Sequence, residues 1–179
     1  MKTNRRKSTQ KLTVASLCAA LGVVLLLIGS VVDVLDITMA ALASLTVVFA
    51  VIELRGSYPW LIFAVTALLS LLLLPNKAPA LLYTCIAGYY PIVKWQFEKR
   101  FSRPLAMLFK GIVFLGAAAL FVYISLKFFV MASFTMQPWY WAVPLLVVAF
   151  FFLYDLAMTR LITFYLVRWR RHFRFLNSD

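Results

Sequence analysis

Few residues in this chain have the types and spacing that chemistry requires. The only histidine, His172, stands between Arg171 and Phe173 in a basic terminal segment. A general base works on a positioned neighbour. No Ser-His pair, HExxH run, glycine-rich phosphate loop or carboxylate pair of catalytic spacing accompanies it in the sequence. Asp33 and Asp36 form a short acidic turn, either a plain exposed turn or an outer gate that touches a cation. Cys18 and Cys85 both sit in apolar stretches, which points to packed thiols rather than a disulfide framework or metal cluster. The expectation is a protein with no catalytic centre, no metal and no cofactor.

Ionisable residues inside apolar runs carry more weight, because they are costly in lipid and are usually paired or functional. Asp155 and Lys110 fall at similar depths on antiparallel helices and are expected to form a structural ion pair. A proton-coupling role for Asp155 is the other reading. Lys127 either snorkels to the headgroups or turns inward toward an anionic ligand. A small-molecule site needs aromatic walls and a few convergent polar groups. Asn76, Lys77, Tyr83, Tyr123, Lys127, Gln137 and Trp139, with Trp141 beside them, are the candidates for it. On the first apolar run, Ala15, Ala19 and Gly22 share a face whose small-xxx-small spacing lets another helix approach closely.

The elements that would hold these residues follow from composition. Of the 179 residues 64% are hydrophobic and 13% charged, with a mean hydropathy of +0.93. A soluble domain is nearer half apolar and a quarter charged. A water-soluble enzyme, a disordered tail and a secreted disulfide scaffold are therefore excluded. Apolar runs at 12–32, 37–54, 58–74, 80–93, 104–131 and 139–167 are too long, and lack the alternation, for barrel strands. Helices crossing a hydrocarbon layer need about 20 residues each. The expected fold is an all-α integral membrane protein, a bundle of six transmembrane helices. It divides into a basic tail at 1–11, a six-helix domain at 12–167 and a second basic tail at 168–179. Gly88 and Pro91 predict a kink in the fourth run.

The net charge of +12 raises the question of nucleic acid, and its placement answers it. With six spans, sixteen of the eighteen basic residues fall on one side, leaving only Lys77 and Lys127 on the other. That split follows the positive-inside rule and puts both termini in the cytoplasm of a multi-pass plasma-membrane protein. The expected partners of the charge are anionic lipids of the cytoplasmic leaflet, and no nucleic acid.

In layout and in one motif, Ala15-Ser-Leu-Cys-Ala19 running on as Ala19-Ala20-Leu21, the chain resembles the S components of energy-coupling factor (ECF) transporters. The resemblance implies a subunit that captures a vitamin-like small molecule near the outer face. It also implies partners: a transmembrane coupling subunit, met through the Ala15–Ala19 face, and a pair of cytoplasmic ATPases. No substrate-specific signature is present, so the ligand stays open. The alternative is a structural or assembly protein of the cell envelope, using the same spans as a scaffold without a ligand pocket.

Overall fold

The computed structural model describes residues 2–54, 56–129, 142–165 and 167. They form seven α-helices, with no strand among the described residues: α1 (Lys2–Val31), α2 (Asp36–Glu53), α3 (Tyr58–Leu73), α4 (Ala78–Leu82), α5 (Tyr90–Arg100), α6 (Arg103–Phe129) and α7 (Ala142–Phe164). A single π-helical turn, Tyr83–Ala87, lies between α4 and α5. Four helices are long and apolar enough to cross a membrane, over Thr9–Val31, Asp36–Glu53, Pro104–Phe121 and Val147–Phe164. The α3 helix is apolar but has 16 residues, about 24 Å at 1.5 Å per residue, short of a ~30 Å hydrocarbon layer.

Proline marks where helices begin. Pro59, Pro79 and Pro91 all lie in the first turn of their helices, where a missing N–H leaves nothing unsatisfied. Two polar segments are helical. The basic stretch at the N-terminus is part of α1, which begins at Lys2. The polar residues after Val93 likewise extend a helix, α5, to Arg100. The C-terminal tail, 168–179, lies outside the described residues.

The α2 helix is the centre of the bundle, touching α1, α3, α4, the π turn and α5. Apart from Glu53, its buried positions, Ala40, Ala43, Ser44, Thr46, Val47, Val48, Ala50 and Val51, are small or β-branched, which suits close helix approach where lipid supplies no hydrophobic drive. The Ala15, Ala19 and Gly22 face of α1 turns inward onto this centre. A Cβ placed on Gly22 would lie 3.0 Å from Thr66 Cγ2 and 3.5 Å from Thr46 Oγ1, and the Thr66 hydroxyl donates to the Ala19 carbonyl at 3.4 Å. Leu17, Leu21, Val24 and Ile28 face outward instead.

The break before α5 has a traceable cause. Pro91 has no N–H, so the Ala87 carbonyl four residues earlier loses its helical partner. The chain widens into the π turn, where the Gly88 N–H donates to the Tyr83 carbonyl at 2.7 Å. Gly88 itself is packed so tightly that a Cβ there would fall 2.7 Å from Phe63 Cδ2. The orphaned Ala87 carbonyl is met from α7. The Tyr154 hydroxyl sits between it, at 3.4 Å, and Ser44 Oγ on α2, at 3.1 Å. Ser44 spends its own proton on the Ala41 carbonyl at 2.6 Å, so it can only accept from Tyr154. Tyr154→Phe should therefore remove the single proton that these two buried acceptors share and cost about 1–3 kcal/mol. Thermal unfolding in detergent should show a midpoint several degrees lower, and an unchanged midpoint would refute this role.

A buried charge network and an apolar crevice

Helical periodicity brings four charged side chains and a tyrosine to one point. Tyr90, Lys94 and Glu98 are four apart on α5 and share a face. Lys110 belongs to the inward stripe of α6 with Ala106, Phe114 and Ala118, and Asp155 to that of α7 with Phe151, Tyr154 and Met158. The side chains of Lys94, Lys110 and Asp155 are 2%, 5% and 12% exposed, against 47% for Glu98.

Asp155 Oδ1 is the hub. It accepts from the Tyr90 hydroxyl at 2.6 Å, from Lys94 Nζ closer still, and from Lys110 Nζ at 3.3 Å. Lys94 Nζ also donates to Thr159 Oγ1 at 2.6 Å and to the Asp155 carbonyl at 3.2 Å, so each of its protons has an acceptor on α7. Lys110 Nζ has one short contact, 2.8 Å to Glu98 Oε1, and Lys94 Nζ lies 3.5 Å from the same oxygen. Two ammonium groups and two carboxylates cancel. Neutrality with filled hydrogen bonds is the condition under which charges can stay in a low-dielectric interior. The network ties α5, α6 and α7 together at one level.

The structure thus brings Lys110 and Asp155 together, but Lys110 is the more distant of Asp155's two lysines. Lys94, Tyr90 and Glu98 were not among the sequence candidates. Lys94, at the start of a polar stretch, is buried. The i, i+4, i+8 spacing of Tyr90, Lys94 and Glu98 was the available signal.

The described members of the expected outer pocket have these surroundings. Lys77 Nζ caps the C-terminal end of α3, donating to the Leu71 and Leu74 carbonyls at 2.8 and 2.6 Å, where a cation also meets the negative end of the helix dipole. Asn76 shapes the loop: its Oδ1 accepts from the Ala78 N–H at 3.0 Å and its own N–H donates to Ser30 Oγ at 3.2 Å. Tyr83 is fully buried against Phe63, and Tyr123 is 59% exposed on α6. The Lys127 side chain, Gln137 and Trp139 lie outside the described residues. Ala15, Ala19 and Gly22, expected to meet a coupling partner, are buried within the chain's own bundle. Within it Gly22 lies close against Thr66 and Thr46, and the Ala19 carbonyl accepts from the Thr66 hydroxyl.

One cavity within the bundle is apolar. A crevice of about 570 Å³ opens between α6 and α7, floored by Leu82 and Ile86 of the interrupted helix and walled by Phe114, Phe121, Phe150 and Leu153. Among the described residues no charged side chain lines it. Set against protein families, curated proteins and solved structures, the chain matches none. Its chemistry has to be argued from this geometry. Among the described residues no group of histidine, cysteine, aspartate or glutamate is placed to hold a metal ion.

Proposed function

We propose that this chain is the membrane-embedded substrate-capture subunit of an ECF-type micronutrient uptake system, with six passes and both termini in the cytoplasm. The observation that carries the reading is the interrupted helix. In membrane transport proteins, broken helices border the ligand site, since irregular backbone is tolerated at membrane depth only where protein or a cavity surrounds it. Here Leu82, the last residue of α4, and Ile86 of the π turn line the crevice, and α7 repairs the broken backbone through Tyr154. With the termini inside, the crevice occupies the outer half of the bundle and the charge network the cytoplasmic half. An uncharged, largely apolar ligand suits the lining, because a charged group there would go unpaired. Anionic lipids of the inner leaflet would hold the basic rim. Coupling to a transmembrane partner and its ATPase pair would use the exposed α1 stripe of Leu17, Leu21, Val24 and Ile28.

The test is to fill the crevice. Ala118 lines it beside Phe114 and Phe121. Ala118→Trp should abolish the small molecule seen by native mass spectrometry of gently purified protein. It should also lower ligand uptake by cells about tenfold, with little change in melting temperature. A wild-type protein that never carries a ligand, or a tryptophan variant that transports normally, would sink the reading.

A second reading, a structural or assembly protein of the cell envelope, is favoured by the closure of the α1 small-residue face inside the bundle. It expects recovery of envelope-assembly proteins, and no ATPase pair, when the chain is captured from membranes.

A further inference from the structure

The four members of the charge network are not held alike. Asp155 accepts from three donors and is nearly enclosed. Glu98 is half-exposed and touches the network through one oxygen, 2.8 Å from Lys110 Nζ and 3.5 Å from Lys94 Nζ. It is the one member able to turn to solvent without breaking into the bundle.

Its departure would change the charge state of the site. Lys94 and Lys110 would face Asp155 alone, leaving a net charge of +1 in a low-dielectric environment. Lys94 would stay satisfied by Asp155 and Thr159. Lys110 would keep only its long contacts to Asp155, at 3.3 and 3.4 Å. A buried ammonium so placed is stabilised by an incoming anion. The atom that now fills that position is a carboxylate oxygen on a tether. Lys99 and Arg100 follow directly on the same end of α5 and raise the positive potential there.

We infer that Lys110, with the Lys94 charge behind it, forms an oxyanion site at the α5–α6 end of the bundle, closed in this structure by Glu98 and opened when an external carboxylate or phosphate oxygen displaces it. The anion comes either from solution or from a lipid headgroup. The site is independent of the crevice and of the transport reading, and its two lysines and single movable carboxylate make it a competition between a tethered and a free anion. An internal competitor weakens apparent affinity by the fraction of time the site is free.

The test uses the full chain in uncharged detergent, with inorganic phosphate titrated at constant ionic strength and thermal stability as the readout. Glu98→Gln removes the competitor and should bind phosphate about tenfold more tightly than wild type. Glu98→Asp keeps the charge with a shorter reach and should fall between them. Adding Lys110→Met to Glu98→Gln should abolish the gain while leaving both basic tails intact. Parallel samples in phosphatidylcholine discs, with and without phosphatidylglycerol, separate the sources. Stabilisation of Glu98→Gln by phosphate in plain discs identifies a free anion, and stabilisation by phosphatidylglycerol alone identifies a headgroup. If neither stabilises Glu98→Gln or Glu98→Asp beyond wild type, or if the Lys110→Met variant responds fully, the inference is overturned.

Discussion

Asp155→Asn is expected to be among the most damaging single substitutions in the protein, and a second substitution should reverse much of the harm. The asparagine keeps the shape but removes the charge shared by Lys94 and Lys110. Breaking a buried pair in this way typically costs about 3–5 kcal/mol, because an uncompensated charge is left behind. Lys94 is the harder hit, since the ammonium is 2% exposed and its nearest acceptor is the lost carboxylate. Adding Lys94→Met restores neutrality, because Lys110 and Glu98 remain as a pair at 2.8 Å. The double variant should therefore be markedly more stable than Asp155→Asn alone. Folded yield after extraction, followed by thermal unfolding, would measure both. Equal stability of the single and double variants would show that charge balance is not what the network provides.

The second large effect lies on α1. Gly22→Leu would force a branched side chain into a space where even a Cβ meets Thr66 Cγ2 at 3.0 Å. The Thr66 methyl is fixed by its β-branched backbone and by the bond of its hydroxyl to the Ala19 carbonyl, so the helices must separate. Overpacking of this kind costs about 1–3 kcal/mol, occasionally more. The expected result is a loss of folded chain expressed by itself, with no partner present. Normal stability of the isolated variant, together with a failure only in a larger assembly, would return this face to an intermolecular role.

The charge network shows which parts of a site a sequence reveals. Asp155 and Lys110 stood out because apolar residues surround both, so any ionisable group there invites a partner. Lys94 did not stand out. It opens a polar stretch that looks like a solvent-facing rim, and its direction depends on α5 continuing helically past Val93. Only then do Tyr90, Lys94 and Glu98 stack on one face, and only the arrival of α7 from 61 residues away turns that face into an interior. Two of the outer candidates are engaged in a different way. Lys77 and Asn76 are polar groups beside helix ends, and backbone carbonyls and N–H groups there claimed them first.

The same division holds for the fold. Composition and run length alone determined that the chain is helical and that several helices can cross a membrane, because apolar transfer free energy adds up residue by residue wherever the residues sit. The charge asymmetry likewise belongs to the sequence, as a sum over positions. What each polar or small residue does is not a sum. Ala15, Ala19 and Gly22 announced that some helix would approach closely, and tertiary packing decided that α2 and α3 of the same chain are the ones that do. Close packing and ion pairing depend on contacts of a few ångströms between segments distant in sequence, so the partners of Gly22, Lys94 and Ala87 emerged only once the helices were placed in space.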